Sequence, residues 1–161
     1  MPYPFVLATN GEIIARVNHD GMWSVRWDRV LDTAYQPRHG RRVAVIAYAK
    51  LLLAARDNFN LTPWDVDGGE WKHFQAEIDY IDHDSPVGHW QSTISYNGCL
   101  ITRVNYDGSW SVLWNNIEDI SRWPLTDYRS VALVALCRLF MAAKDRFVTS
   151  PWEVQTDEDD C

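Results

Sequence analysis

The sequence predicts an α+β fold built by tandem duplication of one βββα unit, in which a three-stranded antiparallel meander precedes one apolar helix. The main observation is a repeat: segment 10–27 returns at 97–114 and segment 54–66 returns at 142–154, with about half of the aligned positions identical. The offsets are 87 and 88 residues, so the second copy gains one residue. A unit of about 60 residues has a marginal core. We therefore expect the two copies to share apolar surface.

Turn signals divide each copy into three strands. Asn-Gly pairs at 10–11 and 97–98 are typical of two-residue hairpins, since both turn positions need positive φ. The segments 18–21 and 105–108 end in Gly and fit three-residue hairpin loops closed by a bulge. The predicted strands cover about 4–9, 12–18 and 22–28, and then 90–96, 99–105 and 109–115.

The turns also predict the strand register and the two faces of each sheet. The second loop pairs Val17 with Trp23, Ala15 with Val25 and Ile13 with Trp27, and its repeat pairs Val104 with Trp110, Thr102 with Val112 and Leu100 with Trp114. This aromatic and β-branched face is expected to form the core. The opposite face is expected to carry Phe5, Leu7, Ile14, Arg16, Met22, Ser24 and Arg26, and in the second copy Ser92, Ile94, Ile101, Arg103, Ser109, Ser111 and Leu113.

A helix is predicted at about 41–59 in the first copy and 127–147 in the second. Over three turns each helix carries one charge, whereas a surface helix has a polar half. We expect the two helices to pack on each other about a pseudo-two-fold axis, with a homodimer interface as the competing solution. The segments 62–65 and 150–153 match a capping box with Pro at the first helical position.

The predicted organisation is a first repeat at 1–66, an acidic linker at 67–88 and a second repeat at 89–161 that ends in an acidic tail. The formal net charge is −7, and the linker alone carries six Asp or Glu against one Lys. Phosphate binding needs concentrated Lys and Arg, so this balance argues against a general polyanion binder. We expect no membrane partner, because the longest apolar stretch, 131–143, is interrupted by Arg138 and is too short to span a bilayer.

The sheet face opposite the core is the predicted partner-binding site, since arginine among aliphatic and hydroxyl groups is typical of protein interfaces. The alternatives are that the linker around Trp71 or Phe74 covers this face, or that the arginine stems shield its apolar groups. The candidate partner-binding residues are Ile14, Arg16, Ser24, Arg26, Arg103, Ser111 and Leu113.

No catalytic, metal or cofactor motif is present, so we expect no enzyme, no metal and no cofactor. Cys137 lies on an apolar helix, where a thiol is inert. The linker histidines lack ligand spacing and are interpreted as part of a solvated acidic loop. The basic run 38–42 is too short to form a basic stripe. An odd number of cysteines without metal spacing favours a reducing compartment, so the predicted location is cytoplasmic.

The predicted function is that of a non-catalytic interaction protein, which binds another macromolecule, expected to be a protein, through the sheet face or an acidic surface. Inhibitors, immunity proteins and phage-encoded antagonists of host systems have this compact acidic character. The alternative is a nucleic-acid-binding module. A three-stranded meander backed by one helix is similar in topology to plant AP2-type and integrase-arm DNA-binding domains, and that resemblance implies DNA reading by strand arginines, here Arg16, Arg26 and Arg103.

Overall fold

The two copies fold as two three-stranded sheets, each followed by two helices. A computed structural model describes residues 4–9, 12–36, 43–58, 90–96, 99–105, 107–125, 130–147 and 149. The strands are β1 Phe5–Thr9, β2 Glu12–Val17, β3 Trp23–Val25, β4 Trp90–Tyr96, β5 Cys99–Asn105 and β6 Trp110–Val112. The helices are α1 Trp27–Ala34, α2 Val43–Ala55, α3 Trp114–Ser121 and α4 Val131–Ala143. The strand orders β1-β2-β3 and β4-β5-β6 confirm the duplicated meander.

The loop between β2 and β3 has the predicted geometry. Asn18 donates its N–H to the carbonyl of Met22 at 2.8 Å, and its own carbonyl accepts the N–H of Gly21 at 2.9 Å. Gly21 has φ +87°, as a left-handed closing position requires, and Gly108 repeats this with φ +86°. The resulting pairs match those predicted from the sequence, for example Val17 with Trp23 and its repeat Val104 with Trp110.

In each copy the first part of the first strand, before a bulge, faces the other way from the prediction. A bulge between Leu7 and Ala8 shifts the register, so Leu7 pairs with Ala15 and Phe5 with Val17. A one-residue shift moves side chains to the opposite face of a sheet. Phe5 and Leu7 therefore lie on the core face, and the sequence-based assignment to the other face was wrong. The same shift lies between Ile94 and Ser95, which pairs Ile94 with Thr102 and Ser92 with Val104.

Each copy contains a short helix that the sequence analysis did not predict. The third strand ends at Val25, and the helix α1 begins at Trp27, which was expected to pair with Ile13 as part of the strand. Val30, Thr33 and Ala34 are the buried residues of α1, and this spacing places them on one side of the helix. The second copy repeats the arrangement in α3, which begins at Trp114 instead of extending the strand opposite Leu100.

The indoles at the start of these helices lie partly exposed. The guanidinium of Arg56 lies 4.9 Å from the ring centroid of Trp27, and the ammonium of Lys144 lies 5.3 Å from that of Trp114. A cation over an indole face is an attractive contact of about 0.5–1 kcal/mol at exposed sites. It joins the end of the long helix to the start of the short one in each copy.

The long helices α2 and α4 contact each other, as predicted from their apolar character. Trp23 of the first copy donates its indole N–H to the carbonyl of Ala135 in α4, and Trp110 of the second copy donates to the carbonyl of Ala47 in α2, both at 3.4 Å. Each indole thus reaches across to the helix of the other copy. Buried side chains of both copies form one hydrophobic cluster, so the described residues share a single core.

Several predicted features lie outside the described residues. They are the Asn-Gly turns at 10–11 and 97–98, the capping boxes at 62–65 and 150–153, the linker at 67–88, the basic run at 38–42 and the tail at 156–161. The boundaries of the predicted domains therefore stay predictions. Within the described ranges, no helix is both long and apolar enough to cross a bilayer.

The crossed indoles predict a pair of matched stability losses. Trp23→Phe and Trp110→Phe should each lower the free energy of unfolding by about 1–3 kcal/mol, because each removes a buried hydrogen bond and part of a packed ring. Urea unfolding followed by circular dichroism measures this. The partly exposed Trp27→Phe is the control and should lose less. A second transition in either variant would show that the copies unfold separately and contradict the shared core.

Candidate interaction surface

Most of the predicted partner-binding residues are buried inside the fold. Arg16 and Arg103 are 4% and 2% exposed, and the other fully buried members of the set are Ile14, Ser24 and Ser111. Arg26 and Leu113 are partly exposed. The face that was expected to meet a partner is therefore enclosed by the chain itself, apart from its rim. The proposed cover around Trp71 and Phe74 lies outside the described residues.

The buried arginine of the first copy belongs to a line of polar side chains. Arg16 donates from Nε to Oδ1 of Asn18 at 3.2 Å, and Asn18 donates from Nδ2 to Oγ of Ser24 at 3.0 Å. In the second copy Asn105 donates to Oγ of Ser111 at 3.1 Å. Because a buried polar group without a partner is costly, these bonds stabilise the asparagine and serine side chains of the sheet.

At the rim, a carboxylate joins two arginines. Glu12 accepts from Nη1 of Arg29 at 2.8 Å and from Nη1 of Arg26 at 3.3 Å. Burial lowers the pKa of the Arg26 guanidinium, and the charge of Glu12 opposes that shift. In the second copy the three equivalent positions hold Cys99, Leu113 and Asn116, so the whole ion-pair cluster belongs to the first copy.

The outer side of α1 carries an exposed row that we call the α1 stripe. Its members follow the i, i+3, i+4, i+7 spacing of one helix face, and they are Asp28, Leu31, Asp32 and Tyr35. Leu31 is 42% exposed and Tyr35 is 79% exposed. The side chain of Asp28 is 85% exposed. Leu31 and Tyr35 are thus presented to solvent side by side, with two carboxylates next to them.

The second copy has different chemistry at the same place. The positions equivalent to Leu31 and Tyr35 are Glu118 and Arg122. Their side chains form an ion pair of 2.6 Å with i, i+4 spacing on α3. On α3 the two charged side chains therefore neutralise each other. On α1 the equivalent positions hold a leucine and a tyrosine, and both are exposed.

The α1 stripe was not predicted, because the third strand was expected to run through residues 26–28 and residues 29–36 were assigned to no element. The signal was present, since Trp27, Val30 and Ala34 alternate with the stripe at helical spacing. A segment this short can be assigned as a strand or as a helix. Trp23 and Trp27 favoured the strand assignment, because tryptophan is enriched in strands.

Cys137 is fully buried, and burial raises the pKa of its thiol to about 12, so the reactive thiolate is not formed near neutral pH. The carboxylate of Glu118 is paired with Arg122. Within the described ranges no three His, Cys, Asp or Glu side chains cluster as metal ligands would, and the linker histidines lie outside those ranges.

Comparison of the chain with known protein families, curated proteins and solved structures gave no match.

The side-chain hydrogen bonds of Asn18 and Asn105 predict that both asparagines stabilise the fold. Asn18→Ala and Asn105→Ala should each lower the free energy of unfolding by about 1–3 kcal/mol, because each leaves buried polar groups without their partner. Chemical denaturation measures the loss. Asp20→Asn, in the same loop but exposed, is the control for Asn18. Unchanged stability in both alanine variants would show that water replaces these bonds.

The buried thiol predicts a dependence of stability on pH. Its pKa rises from an ordinary 9.0 to about 12 on folding, so the unfolded chain loses this proton first. The contribution of this thiol to the free energy of unfolding is complete below pH 9 and is lost as the pH rises towards about 12. The first copy holds Ala49 at the equivalent position, which makes Cys137→Ala a matched control. Unfolding free energies should fall more steeply with pH in the parent chain than in this variant, and parallel curves would contradict the prediction.

Proposed function

We propose that this protein is a non-catalytic interaction module that binds another protein through the α1 stripe. The observation that carries the proposal is the difference between two otherwise equivalent surfaces. Leu31 and Tyr35 are exposed on α1, where the second copy has the Glu118–Arg122 ion pair. The fold itself therefore tolerates polar residues at these positions, and an apolar pair there needs another reason.

The chemistry of the stripe indicates the kind of partner. Tyrosine is enriched at binding hot spots because it buries a large ring and keeps a polar end. Asp28 and Asp32 lie beside the apolar pair, and the four residues of the stripe include no cation. The chain as a whole has a formal net charge of −7. A protein surface with an apolar depression bordered by Lys or Arg is complementary to this arrangement.

The contact should extend beyond the stripe. A stable interface buries about 800 Å² on each partner, which is more than four side chains of an eight-residue helix supply. The neighbouring cluster of Glu12, Arg26 and Arg29 lies at the start of α1 and is also confined to the first copy. We place it at the polar border of the interface, which keeps Arg26 of the sequence-based set in the proposed site.

A basic target suits an inhibitory role. An acidic module that covers a cationic site on its target would act as an inhibitor, an immunity protein or a phage-encoded antagonist, and we infer that it does so in the cytoplasm. The free thiol of Cys137 agrees with a reducing compartment.

Nucleic-acid binding through the sheet has less support. Arg16 and Arg103 are buried, and Arg26 is already paired with Glu12. Phosphate contacts need accessible cations, and the α1 stripe presents carboxylates instead.

The test exchanges the two surfaces. Leu31→Glu with Tyr35→Arg gives α1 the ion pair of α3, and the control, Glu118→Leu with Arg122→Tyr, gives α3 the apolar pair. A partner captured from native lysate and then purified should bind the first variant at least about 30-fold more weakly than the parent chain, because two central contacts are removed. The control variant should bind as the parent does.

Photo-crosslinking gives a second readout of the same site. A benzoylphenylalanine at position 35 should crosslink to the partner, whereas one at position 122 should not. Equal binding by both exchange variants would contradict the proposal. Capture that nuclease abolishes, or a parent dimer that the α1 exchange converts to monomer, would assign the stripe to nucleic acid or to self-association instead.

A further inference from the structure

A cleft lies between the two copies, on the side of the molecule where Trp23 reaches α4. Its volume is about 230 Å³. Met22 and Trp23 line it from the first copy, and Leu125, Arg138 and Leu139 line it from the second. Because both copies contribute walls, the site exists only in the assembled duplicated fold.

Arg138 is held in a fixed position at this cleft. Its Nε donates to the carbonyl of Ser121 at 2.9 Å, and its Nη2 donates to the carbonyl of Trp123 at 2.8 Å. Both acceptors are neutral, and among the described residues no carboxylate lies within 4.0 Å of this guanidinium. The side chain therefore brings an oriented positive charge that no carboxylate of the described residues neutralises, and its hydrogen bonds to these two carbonyls use Nε and Nη2.

The other walls are mixed. Met22, Trp23, Leu125, Ala135 and Leu139 supply apolar residues, and Gly21 and Asn58 complete the lining. An apolar cavity of roughly 150 Å³ holds benzene, so this cleft has room for a ring or a branched chain. Leu125 packs closely on Gly21 in this wall, since a Cβ at Gly21 would lie 2.5 Å from the end of the Leu125 side chain.

We infer that the cleft binds a small organic carboxylate that carries an aromatic or branched apolar group. The carboxylate pairs with the guanidinium of Arg138, and the apolar group lies against Trp23 and the two leucines. A charged hydrogen bond to a preoriented guanidinium is favourable, because the arginine side chain need not be reordered on binding. This site is separate from the α1 stripe and does not depend on it.

The duplication supplies an internal control for the site. The position equivalent to Arg138 is Lys50, which is exposed, and that equivalent to Met22 is Ser109. Trp110 makes the same indole hydrogen bond as Trp23 but on the other side of the pseudo-two-fold axis. A ligand of the cleft should therefore affect one of two otherwise equivalent indoles.

The experiment is a titration of the full-length protein with phenylacetate, followed through the indole N–H signals in ¹H–¹⁵N spectra. Single Trp→Phe variants assign the two signals. The Trp23 signal should shift and saturate with a Kd on the order of 1 mM, while the Trp110 signal stays in place. Phenylacetamide, which has the same shape without the charge, should bind at least about 10-fold more weakly.

Two variants separate the site from a general effect. Arg138→Lys introduces the residue that α2 carries at the equivalent position. It should weaken binding about 10-fold, because the planar fork of donors of the guanidinium is lost. Met22→Trp should block the cleft without touching the charge. The control Lys50→Arg should change nothing at Trp23.

Three results would overturn the inference. They are the absence of any shift at about 20 mM phenylacetate, which lies well above the expected Kd, equal shifts of both indoles, and equal binding of phenylacetamide. Unchanged affinity in both Arg138→Lys and Met22→Trp would also place the ligand elsewhere.

Discussion

The structure depends on the contact between the two long helices and on the indoles that cross it. Neither α2 nor α4 has a polar face wide enough for a surface helix, and neither unit is large enough for a secure core of its own. Packing the helices together removes both difficulties. Trp23 and Trp110 then tie each sheet to the helix of the other copy, and Trp110 packs edge-on against Tyr48 of α2 and Phe140 of α4.

Local turn chemistry made much of this fold predictable. The Gly at 21 and 108 fixes the second hairpin, and its register followed from the sequence. Features that depend on contacts between distant parts of the chain could not be predicted in this way. The bulge at Leu7 depends on how the strand bends over the core, and it reversed the face of Phe5. The helix at Trp27 depends on burial of Val30 and Ala34 against the rest of the fold.

The candidate site was harder to predict than the fold. The register of the second and third strands was predicted correctly, which places Arg16 and Trp23 on opposite faces. Alternation alone cannot tell whether a second face is open or covered. Arg16 and Arg103 are covered. Leu31 and Tyr35 lie next to each other on the surface because they are one helical turn apart. This arrangement could not be predicted while α1 was not assigned as a helix.

Comparison of the copies separates the frame from the surfaces. Positions that build the frame keep their role, as the hairpin glycines, the crossing indoles and the cations over Trp27 and Trp114 show. Surface positions differ as sets: the Glu12 cluster, the α1 stripe and the Arg138 contacts each occur on one side only. A duplicated frame with unlike surfaces can present two different sites, and this is the basis of both proposals.

The most direct test of the shared core is native-state hydrogen exchange of the two crossing indole N–H groups in the intact chain. If the copies form one cooperative unit, Trp23 and Trp110 exchange with the same opening free energy, equal to the free energy of global unfolding. An indole that exchanges at a distinctly lower opening free energy than the other would show that one copy opens while its neighbour stays folded, and the account would then be wrong.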